Sequence, residues 1–417
     1  MKTLILGGGV TGLTAAWKLQ QRGEEVEVWE AAEAPGGWVK TLPWGSGYVE
    51  RGPQGVLVVP GSPVDRLFRE LGLETRSPGH GKRWVGKGGR LVPVPTNPVK
   101  LLTSDLMPLS GRLRMMLEPF VPVRKDKSEE ALTAFVARRL GRGVAEHLLP
   151  AMISGILAAP VELLSVDALP KLTQWEATGS LVKGMRSSGA SALQVPKGGM
   201  GELPKALAAR VNVRTGLRAE RIAKQDGRWR VWSWEGMAEA DRIVLALPAY
   251  EAAPLLGSLA PQSAEAMGAM PYTSVRLFHS RHLPLDPLRD GFGFLVHPPE
   301  GQGFLGSLVP SWIDPDSAPG GLMQLRTFIG SFNTDPAFQT WEGVEAALRR
   351  WVPELPETLE FREERADQAI PRAEMGHRRR LEQALGGLPQ GIDWISNARF
   401  GPGVRDVVEG LEGWGLR

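Results

Sequence analysis

The chain has no cysteine. That excludes disulfides, thiolate nucleophiles, cysteine-ligated zinc and disulfide-based redox chemistry. Histidine is scarce, with six scattered over 417 residues. His279 and His282 form the one close pair; with His147 they read as surface or structural residues, and no metal site is expected. Long apolar runs are lacking as well. The longest uncharged apolar stretch, Leu148 to Val161, is broken by Pro150 and Pro160 and falls short of the ~20 residues a spanning helix needs. Net charge is low, at +3, so nothing suggests nucleic-acid binding. Met1-Lys2 runs straight into a strand-like segment, leaving no room for a signal peptide. A cytoplasmic protein, soluble or peripheral on the inner face of the cell membrane, is the expectation.

What the chain does have is a strand, turn, helix and strand in its first thirty residues. Thr3-Leu4-Ile5-Leu6 is an apolar run suited to a buried parallel strand. Gly7-Gly8-Gly9-Val10-Thr11-Gly12 then fits G-x-G-x-x-G, and Leu13, Ala16, Trp17 and Leu19 follow at helical spacing up to Gly23. Val26 to Trp29 is a second strand, ending on Glu30, eighteen residues after Gly12. Such glycines give a tight turn, let the backbone approach a pyrophosphate and pack helix on strand, while the helix N-terminus offers free N–H groups to phosphates. Glu30 would accept hydrogen bonds from ribose hydroxyls. A lone G-x-G-x-x-G is a weak signal; in this register, with a terminal acid, it reads as a dinucleotide site.

A glycine pair, Gly36-Gly37, follows with Trp38, and then Glu50-Arg51-Gly52-Pro53-Gln54-Gly55, a short strand running into a Gly-Pro turn. Fingerprint, acid, Gly-Gly and Glu-x-Gly-Pro, in that order, resemble the FAD-dependent amine oxidase superfamily. The continuation narrows the resemblance. Lys82-Arg83-Trp84 to Gly88-Gly89-Arg90-Leu91-Val92-Pro93 is similar to a hairpin of the oxygen-dependent protoporphyrinogen oxidases of haem biosynthesis. Further segments resemble that family in sequence order: Ser128 to Leu140, Gly155 to Ala159 with Glu162 to Ser165, Pro196 to Leu203, Asp290 to Val296, Ile370-Pro371 with Gly376-His377, and Gly401 to Asp406. The chain departs from the family pattern at Ala159, Ala366, Ala373, Arg399 and Arg405, and it stops at Arg417, so the terminal helix after the flavin-binding turn is expected to be short or absent.

The implied fold is a mixed α/β chain: a two-dinucleotide-binding FAD domain of the amine-oxidase and p-hydroxybenzoate-hydroxylase type, an antiparallel-sheet substrate domain and a helical lobe. Residues 1–92, 193–250 and 365–417 would build the FAD domain, 93–192 the lobe and 251–364 the substrate domain. Trp229 to Trp232 and Ile243 to Ala246 read as strands, and Leu217 to Ile222 is strand-like. In the lobe, Leu113, Met115, Met116, Leu117, Phe120 and Val121 alternate with basic residues. The resemblance implies contact with a membrane surface there; the residues alone suit an internal packing face equally.

The resemblance implies non-covalent FAD, held by Gly7 to Gly12, Glu30, Ala31, Gly36, Gly37, Trp38, Gly52 to Gly55, Ala219 and Pro402, Gly403 and Val404. The flavin performs the chemistry, so no catalytic side chain is assigned, and Gln54 lies after the Gly-Pro turn, where a polar side chain could orient substrate or flavin. Arg83 is the expected carboxylate anchor, since a guanidinium pairs a carboxylate bidentately. Phe292 and Leu295 would flank one face of a macrocycle, with Met152, Gly155 and Ile156 opposite. Read without the family, Arg83 is a turn arginine and the apolar residues are plain core. The expected reaction is a six-electron oxidation of protoporphyrinogen IX to protoporphyrin IX in three two-electron steps, with dioxygen as acceptor and hydrogen peroxide as product, by a monomer or homodimer. Coproporphyrinogen III, with four propionates, is the alternative substrate, and Lys82, Arg90, Lys100, Arg112 and Arg114 could furnish the wider basic rim it needs. An amine oxidase or carotenoid desaturase would share the fingerprint but not the Arg83 hairpin. A non-catalytic FAD-stabilised scaffold remains the reading from a different class.

Overall fold

The computed structural model describes residues 1–95, 100, 103–126, 128–286, 288–332 and 334–415; residues 96–99, near the start of the lobe, lie outside them. The first strand, Lys2–Leu6, is the centre of a five-stranded sheet. It pairs in parallel with Glu25–Trp29 on one side and Arg242–Leu245 on the other, and Asn212–Arg214 and Ile392–Trp394 form the edges, also parallel. Start, middle and end of the chain thus meet in one sheet. Alternation along the strands sorts its two faces. Leu4, Leu6, Ile243 and Leu245 pack against Trp229, Val231, Ala238 and Ala240 of a three-stranded meander, Arg221–Gln225, Arg228–Ser233 and Gly236–Ala240. Ile5, Val28 and Val244 pack against Ala15, Ala16 and Leu19 of the fingerprint helix, Val10–Gln21, and against Val407, Leu411 and Trp414.

The last three residues belong to the chain's terminal segment, where the helix expected to be short or absent is present and short: Val404–Glu412 is helical. Nine residues are too few to hold a helix in water, but burial of one apolar face against a sheet suffices. The segment 217–222 is corrected, since the strand begins only at Arg221 and Leu217 to Glu220 form the loop before it.

A second sheet has seven strands in the order Glu360–Pro371, Tyr272–His282, Met323–Gly330, Phe304–Leu308, Gly291–Val296, Lys82–Lys87 and Arg90–Pro93. Its pairs are antiparallel except one: Lys82–Lys87 runs parallel to Gly291–Val296. The hairpin that closes segment 1–92 therefore belongs to this sheet. One face packs Trp84, Phe278, Phe294 and Ile329 on Trp341, Val344, Leu348 and Trp351 of the helix Trp341–Trp351. The other face turns towards the lobe and the dinucleotide fold: Val275, Leu277 and Leu305 meet Ala158, with Trp38 packed alongside. His279 and His282 lie inside the sheet, fully buried.

The lobe's core gathers Leu132, Phe135, Val136, Leu149, Ile153 and Leu157. Its buried charges are paired, Arg139 with Glu118 and Arg138 with Glu176 and Glu130. Leu113, Met116, Leu117 and Phe120 face outward, Phe120 at 82% exposure. Among the described residues no helix is long and apolar enough to cross a membrane.

Candidate active site

The fingerprint loop is tight enough that its glycines are steric requirements. Gly7 has φ of +109°, and a Cβ on Gly12 would lie 2.0 Å from the Gly7 carbonyl oxygen. Gly9 caps the fingerprint helix without any side-chain capping bond, so its first-turn N–H groups stay open to a ligand. The Gly36–Trp38 loop lies directly against this one, the Gly36 N–H donating to the Gly8 carbonyl at 2.8 Å. The Glu30 carboxylate accepts from the Gly8 N–H at 2.7 Å and the Ala32 N–H at 2.8 Å. On its far side the Leu217 N–H donates to the Glu30 carbonyl at 2.9 Å, which brings the loop carrying Ala219 alongside Glu30 and Ala31.

A second helix N-terminus points the same way. Gly403 precedes Val404–Glu412, and the Asp406 carboxylate accepts from its N–H at 3.1 Å. Val404 and Val408 pack in one cluster with Val10 and Leu13, and Lys18 pairs with Glu412, so the two helices lie parallel. Two positive dipole ends therefore flank one pocket. The Gly52 turn closes it: a Cβ on Gly52 would lie 2.1 Å from the Trp38 carbonyl oxygen, and the Arg51 guanidinium sits over the Trp38 ring at 4.8 Å. Gln54 is buried, and neither polar atom of its amide has a protein partner. Buried amides want partners; a bound flavin or its substrate would supply them. The open helix ends, the acid and this orphaned amide fit an FAD.

Across from this lies the substrate sheet. Arg83 pairs in register with Gly293, and a bulge between Gly291 and Gly293 leaves Phe292 out of the ladder. The bulge aims Phe292 at Arg83, whose guanidinium stands 4.0 Å from the ring centroid. Desolvation lowers the Arg83 pKa although the residue is exposed, because the ring shields one face while the edge stays open. Among the described residues no carboxylate pairs with it. Leu295, two residues beyond Gly293, touches the helix Leu149–Leu157: a Cβ on Gly155 would lie 2.2 Å from Leu295 Cδ2. Met152 and Ile156 share that helix and are 49% and 57% exposed. Arg83 with Phe292, and Gly155 with Leu295, are thus brought together, while Met152 and Ile156 stand open beside them.

The model of one family, the flavin-containing amine oxidoreductases, matches residues 10–385. The chain belongs to that family. Its cofactor is FAD, and it is an oxidoreductase. Within this family it is 29% identical to a chloroplastic protoporphyrinogen oxidase of Oryza sativa subsp. japonica, over 93% of this chain and 82% of that one. It is 24% identical to a coproporphyrinogen III oxidase of Bacillus subtilis, over 97% and 95%. Its fold superposes with a TM-score of 0.81 on a candidate protoporphyrinogen oxidase of Exiguobacterium, at 22% identity, covering 99% and 97% of the two chains.

Sequence reasoning missed the polar seam between the two sheets. Arg326 donates to the Gly52 carbonyl at 2.6 Å, and Glu50 accepts from the Met200 N–H at 2.7 Å and the Thr41 hydroxyl at 2.9 Å. The one signal for Arg326 is a charge in the middle of an apolar strand, Met323–Gly330.

Proposed function

We propose that this amine oxidoreductase oxidises protoporphyrinogen IX to protoporphyrin IX in haem biosynthesis, with dioxygen as electron acceptor. When bound, FAD supplies two-electron acceptance from a C–H bond and return of the pair to dioxygen, giving hydrogen peroxide; three rounds convert a porphyrinogen to a porphyrin. The chain's own residues then have to bind, orient and desolvate a flexible macrocycle with apolar walls and two propionates. Arg83 anchors a propionate, held rigid by the Phe292 ring beneath it. Phe292 and Leu295 supply one apolar wall, and Gly155 lets the opposite helix close on Leu295. Met152 and Ile156, already exposed on that helix, extend the wall. Gln54, with an unpaired amide at the Gly52 turn, orients whichever ligand group reaches it.

The observation that carries this reading is the lone guanidinium mounted on an aromatic ring at the edge of an apolar wall. It suits a ligand that is apolar over most of its area and carboxylate at one end. Coproporphyrinogen III has four propionates, and the basic residues that would meet the extra ones are in part engaged. Arg90 pairs with Asp105 at 2.9 Å, and Arg114 donates to the carbonyls of Arg138 and Arg139. That favours the dicarboxylate. We propose further that the outward-facing Leu113, Met116, Leu117 and Phe120 rest on the membrane surface, whence so apolar a substrate comes. Porphyrin fluorescence growth with each porphyrinogen in air, against an enzyme-free control, tests the reading.

A further inference from the structure

Arg326 is 3% exposed in the middle of the strand Met323–Gly330. Among the described residues no carboxylate lies within ion-pair distance of it, and its Nε has no partner. Burying an unpaired guanidinium is costly, and burial pushes its pKa down to about 10. The Phe328 ring, whose centroid lies 5.0 Å from the Arg326 guanidinium carbon, repays part of that cost, but no ion pair does. His279, its register partner, is fully buried with both ring nitrogens unpaired and is held neutral by burial beside Arg326 and Arg362. Glu50 is the anion whose field reaches it, and its carboxylate is bound to Met200 and Thr41 instead.

What Arg326 does hold is backbone. Its Nη2 donates to the Gly52 carbonyl at 2.6 Å and the Arg51 carbonyl at 3.4 Å. Gly52 is pressed on the Trp38 carbonyl, and the Trp38 loop on Gly8, so the turn fixed by Arg326 is one wall of the FAD pocket. A neighbouring arginine offers a contrast. Arg281, 4% exposed on the adjacent strand, also reaches the dinucleotide fold, donating to the Trp44 carbonyl at 2.8 Å, but it is neutralised by Glu360 at 2.6 Å and touches no part of the pocket. Arg281 ties two layers together; Arg326 spends a buried charge on one turn.

We infer that Arg326 is a positioning residue of the flavin site, holding the Gly52–Gly55 turn in its FAD-facing shape from the opposite sheet through the Gly52 carbonyl. The inference rests on the family's FAD and not on the choice of substrate.

Three holoenzymes test it: R326M, R326K and R281M. FAD release after dilution into flavin-free buffer is timed by the rise of free-flavin fluorescence, and the bound flavin's visible spectrum and the thermal unfolding temperature are recorded alongside. R326M should release FAD at least tenfold faster than wild type, or be isolated folded but colourless, with the visible band shifted where flavin remains. R326K, which keeps the charge but replaces the planar guanidinium with a shorter ammonium, should fall between. R281M should lower the unfolding temperature yet release FAD within twofold of wild type. Wild-type release and spectrum in both R326 variants would overturn the inference, as would an R281M effect equal to that of R326M. If R326M does not fold, the R326K comparison decides alone. No porphyrinogen enters these measurements, so a failure here leaves the substrate reading standing, and the reverse.

Discussion

Arg83 stands over the Phe292 ring at 4.0 Å, and Phe292 in turn meets Trp312 edge-on at 4.6 Å. The cation is thus held in place from below while its outer edge stays free. Replacing it with alanine should remove a charge-assisted bond worth roughly 1–3 kcal/mol, a rise in KM between about fivefold and 150-fold with kcat little changed. R83K, lacking the flat fork, should lie between. Steady-state kinetics unchanged in R83A would remove this residue from the site.

Gly155 and Leu295 touch where the lobe meets the substrate sheet. A methyl on Gly155 would stand 2.2 Å from Leu295 Cδ2 and 3.1 Å from its Cγ, so the whole side chain must move, not merely its tip. G155A should destabilise the fold by about 1–3 kcal/mol as an overpacked contact and raise KM. The double variant G155A/L295A should recover part of both losses, a coupling that a double-mutant cycle reads directly. Strict additivity of the two single effects would deny the contact.

The fingerprint, Glu30, the Gly36-Gly37 loop and the Gly52 turn were all legible in the sequence, because each depends on neighbours within a few residues. Arg83 and Phe292 were legible one by one, through resemblance. Their stacking was not: it depends on a parallel pairing between strands some two hundred residues apart and on a bulge at Phe292, which no local pattern announces. The helix Val404–Glu412 was expected only as short or absent, because its stability comes from the sheet and fingerprint helix it covers rather than from its own length. Arg326 escaped, and so did the partners of Glu50, because a charge in an apolar strand reads the same whether it faces solvent or another segment's backbone.

Glu50 makes stability depend on pH. Burial pushes its pKa up to about 7 from an ordinary 4.5, so the folded protein keeps a proton that the unfolded chain has already released. That contribution is whole below pH 4.5, declines as pH rises and is gone above about 7, a loss on the order of 3 kcal/mol. E50Q, which cannot ionise but still accepts from Met200 and Thr41, should therefore gain on wild type in unfolding temperature as pH rises from 4.5 to 7, then hold a constant lead. A difference that does not vary with pH would mean that Glu50 does not titrate in this range.

The outward-facing residues of the lobe give a separate prediction. Wild-type protein should float with anionic phospholipid vesicles in a density gradient, and F120E with L117E should leave it at the bottom with its flavin spectrum intact. Equal flotation of wild type and variant would detach the lobe from any membrane role.

The most direct test of the whole account is the growth of porphyrin fluorescence when purified holoenzyme meets protoporphyrinogen IX or coproporphyrinogen III in air, each against its enzyme-free autoxidation rate. The account predicts acceleration with both and a higher kcat/KM for protoporphyrinogen. Preference for coproporphyrinogen would contradict the dicarboxylate reading of Arg83, and no acceleration with either substrate, from protein carrying bound FAD, would contradict the account as a whole.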